Sequence, residues 1–454
     1  METLSGGNIT DISQYDGVRL ISKYWASVCK SGKFEEFGVQ KVSSSAERIV
    51  FVGDVHGDLN QFIAPLVLNN LITLTGEVEE RKIKSLISDD HSVLVLPKYT
   101  IHDNVNVKVV YLGDLIDEWI FSRQVVVMLY DLLKNAKNHV FYIYGNHDLA
   151  VIGRYHLFCS KSLNLALDIP ALWQTLKKEL NHIKNLKIYK TVAELDGEPV
   201  KGFNYINNYV SPIFEYLFKI FESNFGAISL AIKIQNKNFM ISHTTWTTNA
   251  LQQLLSTHEE VKSSPDARPS DTNPEQLKPL IPSHTPNTDD IEIINSIISS
   301  QQPHESIDYA KLSNAVNSVF RSKSRLFICK NFLTYTRITK TIFLNHIIGH
   351  SSGAEFRDQN VNSTPSTYFN ERQSKLSPTF FNGRTVYYFD FGCSAGYDHD
   401  EIGRPDFVYS TPNGLYVSNL PAFSFINSNG KDSLLVMKDK TPRTSNKIIF
   451  NDSN

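Results

Sequence analysis

Two aspartates, one histidine and two glycines fall within six positions of the stretch FVGDVHGDLNQF, residues 51–62. A buried strand rarely holds so many small and ionisable residues, so their density indicates a binding site. Similar polar groups follow other apolar runs along the chain. The candidate residues at these positions are Asp54, His56, Asp114, Asn146, His147, His243 and His350.

These side chains offer carboxylates, one amide oxygen and several imidazoles, a donor set that suits manganese, iron or zinc better than magnesium. If one carboxylate bridges, two ions about 3.5–4 Å apart can orient a phosphate, stabilise a leaving oxygen and make hydroxide from bound water. The predicted chemistry is therefore phosphoester hydrolysis. The predicted cofactors are two divalent metal ions, manganese first, with iron and zinc as alternatives.

Each candidate group stands next to a short apolar run that is typical of a buried strand. The runs are RIVFV, VKVVYL, HVFYIY, KNFMI and FLNHII, and a further run of this kind is TVYYFDF near the end of the chain. Helical spacing of apolar residues separates the early runs, in LNQFIAPLVLNNLITL and SRQVVVMLYDLLKNAKN. This alternation predicts an α/β fold whose strand ends bring the candidates to one edge of a sheet.

Glycines beside the candidates, at positions 53, 57, 113, 145 and 349, allow sharp turns and close approach of the backbone to ions. Asp58 belongs to the same motif as Asp54, but its place before LNQF predicts a helix cap rather than a metal ligand.

The composition predicts an ordinary soluble globular protein. Hydrophobic residues make up 41% of the chain, charged residues 20%, and the formal net charge is −2, which gives no sign of a dedicated nucleic-acid partner. Four scattered cysteines without a CxxC pair indicate a reducing, intracellular setting. Neither a signal-like start nor an apolar run of about 20 residues is present, so we expect a cytoplasmic or nuclear protein without a membrane partner.

We expect an N-terminal extension over residues 1–45, a main domain over 46–430 and a C-terminal tail over 431–454. Three insertions, at about 76–106, 155–230 and 258–305, interrupt the strand and helix pattern. The first is charged, and the second contains helix-like aromatic runs that predict an ordered helical cap over the site. The third is rich in Pro, Ser, Asp and Asn, which predicts a mobile loop.

Five blocks, GDVHGDLNQF, GDLIDEW, GNHDLA, SHTTW and GHSSG, resemble in order and strand context those of the calcineurin-like metallophosphoesterases. They look most like the branch of phosphoprotein phosphatases and bis(nucleosidyl) tetraphosphate hydrolases, and FDFGCSAGY is similar to that branch's aspartate-glycine strand. The resemblance implies a β-sandwich flanked by helices, in αββα layers, over residues of about 46–255 and 325–430.

The resemblance also implies roles for individual residues. Six would be metal ligands: Asp54, His56, Asp114, Asn146, His243 and His350. Asp54 and His56 would bind the first ion, Asp114 would bridge, and the other three would bind the second. His147 would act as general acid or transition-state donor, with Asp117 orienting its ring.

The sequence departs from the family at the substrate phosphate. Glu118 and Trp119 stand where many relatives have an arginine and a glycine, so another arginine would have to bind the phosphate. Arg154 is the first candidate and Arg357 the second. Ser352 replaces the second histidine of the GHxH motif found in many phosphodiesterases and nucleases, which favours a phosphomonoesterase.

The leading hypothesis is an enzyme, a binuclear metal-dependent phosphatase in which metal-bound hydroxide attacks a phosphate monoester or phosphoanhydride. Phosphoserine or phosphothreonine in proteins is the first substrate class, and nucleoside polyphosphates are the second. The alternative is a catalytically silent phosphoesterase fold that serves as a binding or scaffold module. A phosphodiesterase or nuclease ranks below both, because the even charge balance offers no track for a nucleic-acid backbone.

Overall fold

The computed structural model describes residues 9–37, 39, 48–84, 91–117, 121–152, 210–234, 236–263, 287–299, 306–321, 344–350, 379–381 and 384–389, together with five strands between 407 and 448. Its strands are β1 (Arg48–Val52), β2 (Ile72–Lys84), β3 (His91–Ile101), β4 (Val107–Tyr111), β5 (Val140–Ile143), β6 (Gly226–Ala227), β7 (Leu230–Ile234), β8 (Lys237–Ser242), β9 (His346–Ile348), β10 (Thr379–Phe381), β11 (Arg384–Tyr388), β12 (Phe407–Thr411), β13 (Gly414–Ser418), β14 (Ala422–Ser428), β15 (Asp432–Lys438) and β16 (Lys447–Ile448).

Helices precede, separate and cover these strands. They are α1 (Ile9–Ser31), α2 (Leu59–Leu68), α3 (Ser122–Asn135), α4 (residues 146–152), α5 (Ser211–Glu222), α6 (Thr248–Ser263), α7 (Thr288–Ser299) and α8 (Tyr309–Phe320), with a 3-10 turn at Phe34–Phe37. No helix among the described residues is long and apolar enough to cross a membrane.

Two sheets form the centre of the domain. The first has seven strands in the order β16-β13-β12-β1-β4-β5-β6, and the second has five in the order β10-β11-β9-β8-β7. Strands β1, β4, β5 and β6 run parallel, as do β8, β9 and β11. Their carboxyl ends therefore gather at one edge of each sheet, where the predicted loops begin.

Alternation along the strands creates two apolar layers. In β1, Ile49 and Phe51 join the core between the two sheets, whereas Val50 and Val52 join the core under the helices. Because side chains on a strand point alternately to opposite faces, a continuous apolar run serves both layers. Helices α2 and α3 lie on the first sheet, and α8 lies on the second. The predicted αββα sandwich is confirmed.

Residues 9–31 of the predicted extension form helix α1. Helix α1 packs on β2 and α2. Its apolar residues Val18, Ile21 and Trp25, spaced three or four positions apart, are buried in the main core. The first predicted insertion, at about 76–106, is largely the β2–β3 hairpin, which contacts the same helix. Both segments are thus part of the domain.

The two later insertions also contain core elements. At the end of the cap predicted for 155–230, α5 packs along α3 and β6 pairs with β5. Residues 153–209 lie outside the described residues, so the cap over the site stays a prediction. Within the segment predicted as a mobile loop, 258–305, residues 258–263 and 288–299 are helical, and Ile294 of α7 is fully buried. A polar average over the whole stretch had hidden the apolar run IEIINSIIS.

The predicted C-terminal tail over 431–454 contains two strands. Strand β15 pairs with β14, and β16 adds to the edge of the first sheet beside β13. Residues beyond 430 therefore pair with other strands of the structure.

Candidate metal site

The loops after β1, β4 and β5 in the first sheet and after β8 and β9 in the second carry the candidate residues. Main-chain hydrogen bonds join the first two of these loops. The amides of Val55 and His56 donate to the carbonyl of Asp114 at 3.0 and 2.7 Å, and Gly57 donates to the carbonyl of Leu115 at 2.7 Å. The loops are therefore fixed to each other before any ligand binds.

Backbone strain is concentrated at this site. Among the described residues, seven that are not glycine have positive φ, and three of these are asparagines. The other four are site residues: His56 at 46°, Asp114 at 44°, Asp117 at 81° and His350 at 57°. Histidine and aspartate enter this region only occasionally, and such conformations persist where surrounding structure enforces them.

Two glycines allow the loops to approach one another. Gly113 has φ of 109°, and a Cβ there would lie 2.5 Å from Nδ1 of His243. A Cβ on Gly349 would lie 2.6 Å from Oδ1 of Asp54. Real Cβ atoms essentially never approach so closely, so the predicted need for glycine at these positions is confirmed.

Asp114 lies at the centre of the site. Its Oδ1 accepts a hydrogen bond from the amide of His147 at 2.9 Å. Its Oδ2 lies 3.4 Å from Nε2 of His243, 3.9 Å from Nε2 of His147, 4.0 Å from Nε2 of His56 and 4.0 Å from Nδ1 of His350. One buried carboxylate oxygen thus faces four imidazoles.

The charges around Asp114 determine its ionisation. Burial alone would raise its pKa, but the positive charges of His243 and His147 and hydrogen bonds from His243 and His350 hold the pKa well below its usual range. The carboxylate is therefore ionised at neutral pH, and its environment favours positive charge.

Asp54 joins this group from β1. Its Oδ1 accepts a hydrogen bond from the amide of His350 at 2.9 Å and lies 3.7 Å from Nδ1 of His243. Ligand atoms of Asp54, Asp114, His243 and His350 all lie within 4.8 Å of one another. Two carboxylates and two imidazoles at this separation could hold a divalent cation.

The hydrogen bonds of His243 support this assignment. Its Nδ1 donates to the carbonyl of Leu112 at 2.8 Å, which directs Nε2 towards Asn146 Oδ1 at 2.9 Å and the Asp114 carboxylate. Burial would lower its pKa, but the charges of Asp114 and Asp54 raise it to about 10. A proton held so strongly between carboxylates marks a place where a metal ion could supply the positive charge, so the donor set fits a divalent metal.

His147 and Asp117 form a separate pair beside this cluster. Nδ1 of His147 donates to Oδ2 of Asp117 at 3.2 Å, and the ring meets that of His56 edge to face at 5.1 Å between centroids. Burial opposes the charge, but Asp114 and Asp117 raise the pKa of His147 to about 9. In the metal-free protein the imidazolium is therefore the favoured form at neutral pH, and the ring can act as a proton donor.

The structure brings eight of the ten predicted site residues together: Asp54, His56, Asp114, Asp117, Asn146, His147, His243 and His350. The two candidate phosphate-binding residues, Arg154 and Arg357, lie outside the described residues, as do Glu118, Trp119 and Ser352. The division of ligands between two ions stays a prediction. The ligand atoms that lie within 4.8 Å of one another join Asp54 and Asp114 to His243 and His350.

Asp58 is a helix cap, as predicted. Its Oδ1 accepts hydrogen bonds from the amides of Asn60 and Gln61 at 2.8 and 3.2 Å, at the start of α2. The two aspartates of the first motif therefore have different roles: Asp54 faces the cluster, and Asp58 fixes the helix that follows it.

Sequence reasoning missed Asp148, a fully buried residue. Its carboxylate accepts hydrogen bonds from the amides of Leu115 and Gly145, both at 3.0 Å, and so joins the loops after β4 and β5. Burial, aided by the negative charge of Asp114, raises its pKa to about 6. Its place in the GNHD block was the available signal, although the block does not reveal which amides it binds.

A family model for calcineurin-like phosphoesterases matches residues 47–290, more than half of the chain. Among solved structures, a cold-active protein-tyrosine phosphatase of the psychrophile Shewanella sp. is similar at 14% identity and a TM-score of 0.31, over 84% of this chain and 81% of that chain. Another structure of a cold-active protein tyrosine phosphatase gives 14% identity and a TM-score of 0.30, over 84% and 79%. A search of curated proteins found no match.

Proposed function

Because this chain belongs to the calcineurin-like phosphoesterases, we propose that it is a metal-dependent phosphatase that hydrolyses phosphate monoesters. The observation that carries the proposal is the position of Asp114, whose Oδ2 lies within 4.0 Å of four imidazoles. Three of these imidazoles, those of His56, His243 and His350, would bind the two cations that Asp114 bridges, which accounts for their position around one buried carboxylate oxygen.

The residues that would hold two metal ions are Asp54, His56, Asp114, Asn146, His243 and His350. Bound there, divalent ions would orient the phosphate, neutralise its charge and activate water as the nucleophile. Manganese suits the mixed oxygen and imidazole donors, as do iron and zinc. The hydrogen bond from His243 Nδ1 to the Leu112 carbonyl would keep its Nε2 directed at the metals.

His147 would serve the leaving group. Its imidazolium, held by Asp117 through Nδ1, leaves Nε2 as the proton donor beside the metal cluster. Transfer of that proton to the leaving oxygen would avoid the release of an alkoxide, a role in which a positioned acid contributes about 10²–10⁴-fold. The side chain is 16% exposed, compared with 5% for His56, so a substrate could reach it.

The proposed substrates are phosphoserine or phosphothreonine in proteins first and nucleoside polyphosphates second. The single histidine of GHSSG supports a monoester or anhydride rather than a diester. Comparison of phosphopeptides with dinucleoside polyphosphates as substrates would decide between the two classes.

The test combines metal analysis with hydrolysis of p-nitrophenyl phosphate and bis(p-nitrophenyl) phosphate, with and without added manganese. We expect two ions per chain and turnover of the monoester. Asp54→Asn should lose both metal and turnover, and Asp58→Asn is the matched control, because asparagine also caps helices and Asp58 lies outside the cluster.

Full activity in Asp54→Asn would refute the site. Wild-type protein that neither binds manganese nor hydrolyses either ester would instead support a silent binding module. Preference for the bis ester would support a phosphodiesterase.

A further inference from the structure

His346 is a fully buried histidine in the middle of the second sheet. It begins β9, where it lies beside Met240 of β8 and Val386 of β11. The two residues that follow it, Ile347 and Ile348, are apolar and also buried. A polar ring at such a position is costly unless its nitrogens are hydrogen-bonded, so its partners reveal its role.

Both ring nitrogens bind main-chain groups. Nε2 of His346 accepts a hydrogen bond from the amide of Trp246 at 2.9 Å, and Nδ1 lies 2.9 Å from the carbonyl of Leu344. An amide can only donate and a carbonyl can only accept, so the ring is neutral with its proton on Nδ1. A cationic ring would turn a second N–H towards the Trp246 amide and break that bond.

The bond to Trp246 connects two parts of the metal site. Trp246 lies three residues after His243, in the short loop between β8 and α6, and His346 lies four residues before His350 on the neighbouring strand. The loop is held at its end by Thr247, whose hydroxyl accepts from the amide of Ala250 at 3.1 Å. In addition to the pairing of β8 with β9, His346 is thus a side-chain link between the loop that carries His243 and the strand that leads to His350.

We infer that His346 is a positioning residue of the metal site, which holds the His243 loop against the His350 strand through the Trp246 amide. The inference rests on the proposed function, because His243 and His350 matter as metal ligands. Burial supports the required neutral ring by lowering the pKa of His346 to about 4.

Three substitutions separate positioning from packing. In His346→Gln, the amide oxygen can reach the position of Nε2 and accept from Trp246. In His346→Asn, the shorter amide reaches only the position of Nδ1, and His346→Leu offers no acceptor. Ile347→Ala is the control, because it removes apolar contacts from the same strand but lies on the opposite face, in the core between the sheets.

The measurements are manganese affinity of the metal-free protein by calorimetry, hydrogen exchange of the peptide covering 243–247, and kcat with p-nitrophenyl phosphate. For His346→Leu we expect manganese affinity about 10–100-fold weaker, the range for residues that orient a metal ligand, together with faster exchange in the loop. His346→Asn should resemble it, and His346→Gln should recover most of both properties.

Equal manganese affinity and equal loop exchange in His346→Leu and Ile347→Ala would overturn the inference. If the wild type still binds manganese and turns over substrate, the proposed function is unaffected by that result. Failure of His346→Gln to recover beyond His346→Asn would overturn it too. If the wild-type protein neither binds manganese nor turns over substrate, both the proposed function and the positioning role of His346 are refuted.

Discussion

The two sheets hold their contributions to the metal site in different ways. The loops of the first sheet, which carry Asp54, Asp114 and Asn146, are joined by main-chain hydrogen bonds and by the buried carboxylate of Asp148. The second sheet, which carries His243 and His350, is joined across β8 and β9 through the neutral ring of His346. One half depends on a buried acid and the other on a buried uncharged base.

Because of this difference, one site can respond to two kinds of disturbance. A carboxylate that accepts hydrogen bonds from two amides loses one of these bonds when one of its oxygens is replaced by a donor. A neutral imidazole that accepts a hydrogen bond from one amide loses that bond when the ring is protonated. The halves meet at Asp114, whose Oδ2 faces imidazoles from both sheets.

Asp114→Ala should therefore have the largest effect, because it breaks both halves together. We expect loss of manganese binding and a fall in kcat beyond the roughly 10–100-fold typical of residues that only orient a ligand. Metal analysis and p-nitrophenyl phosphate hydrolysis provide the measurement. Asp131→Ala is the control, because that partly exposed aspartate of α3 pairs with Arg81 of β2 rather than with a residue of the cluster. Metal retained by Asp114→Ala would contradict a bridging role.

Asp148→Asn should disrupt only the loops of the first sheet, which the Asp148 carboxylate joins. The asparagine Nδ2 would replace one carboxylate oxygen, so the main-chain amide of either Leu115 or Gly145 would lose its hydrogen-bond acceptor. We expect manganese affinity about 10–100-fold weaker and a free energy of unfolding lower by about 1–3 kcal/mol. Calorimetry and urea denaturation would measure the two effects.

Combination of Asp148→Asn with His346→Leu then tests whether the halves are independent. Separate halves predict that the losses in manganese affinity add, whereas coupling through Asp114 predicts a sum that differs from the double variant by about 0.5–3 kcal/mol. If Asp148→Asn binds manganese as tightly as the wild type, the Asp148 carboxylate does not support the metal site.

Much of the fold could be predicted because apolar runs report burial directly. RIVFV is buried at every position in β1, and the same reasoning identified the strands before Asp114, Asn146 and His243. The segments predicted as extension, cap, loop and tail could not be resolved this way. Their place in the domain depends on tertiary partners such as α3 for α5 and β13 for β16, which composition does not encode.

The candidate site was predictable for the residues that bear its chemistry, since carboxylates and histidines next to glycines are conspicuous after apolar strands. The residues that orient them were not. His346 lies inside the apolar run FLNHII and reads as a core residue, and its partner Trp246 is 100 positions away. The bond depends on the register between β8 and β9, which a single sequence does not specify.

The smallest effect concerns acid, which should weaken the second half through His346. Its pKa is about 4 in the folded protein, compared with about 6.5 for an unperturbed histidine. Between these values the unfolded chain binds a proton that the folded protein does not, so stability falls as pH falls from about 6.5 to 4. Burial and the Leu344 carbonyl determine this pKa, and no charged group among the described residues contributes to it.

His346→Gln isolates this contribution, because glutamine keeps an acceptor for the Trp246 amide but does not titrate. Measured by urea denaturation of the metal-free proteins, the wild type should lose about 2 kcal/mol more than the variant between pH 7 and pH 5. Raised pKa values of His147 and His243 act in both proteins and cancel in the difference. Parallel pH profiles would mean that the folded ring takes up its proton over the same pH range as the unfolded one, near pH 6.5. Below about that pH the second half would then lack the neutral imidazole that distinguishes it from the first.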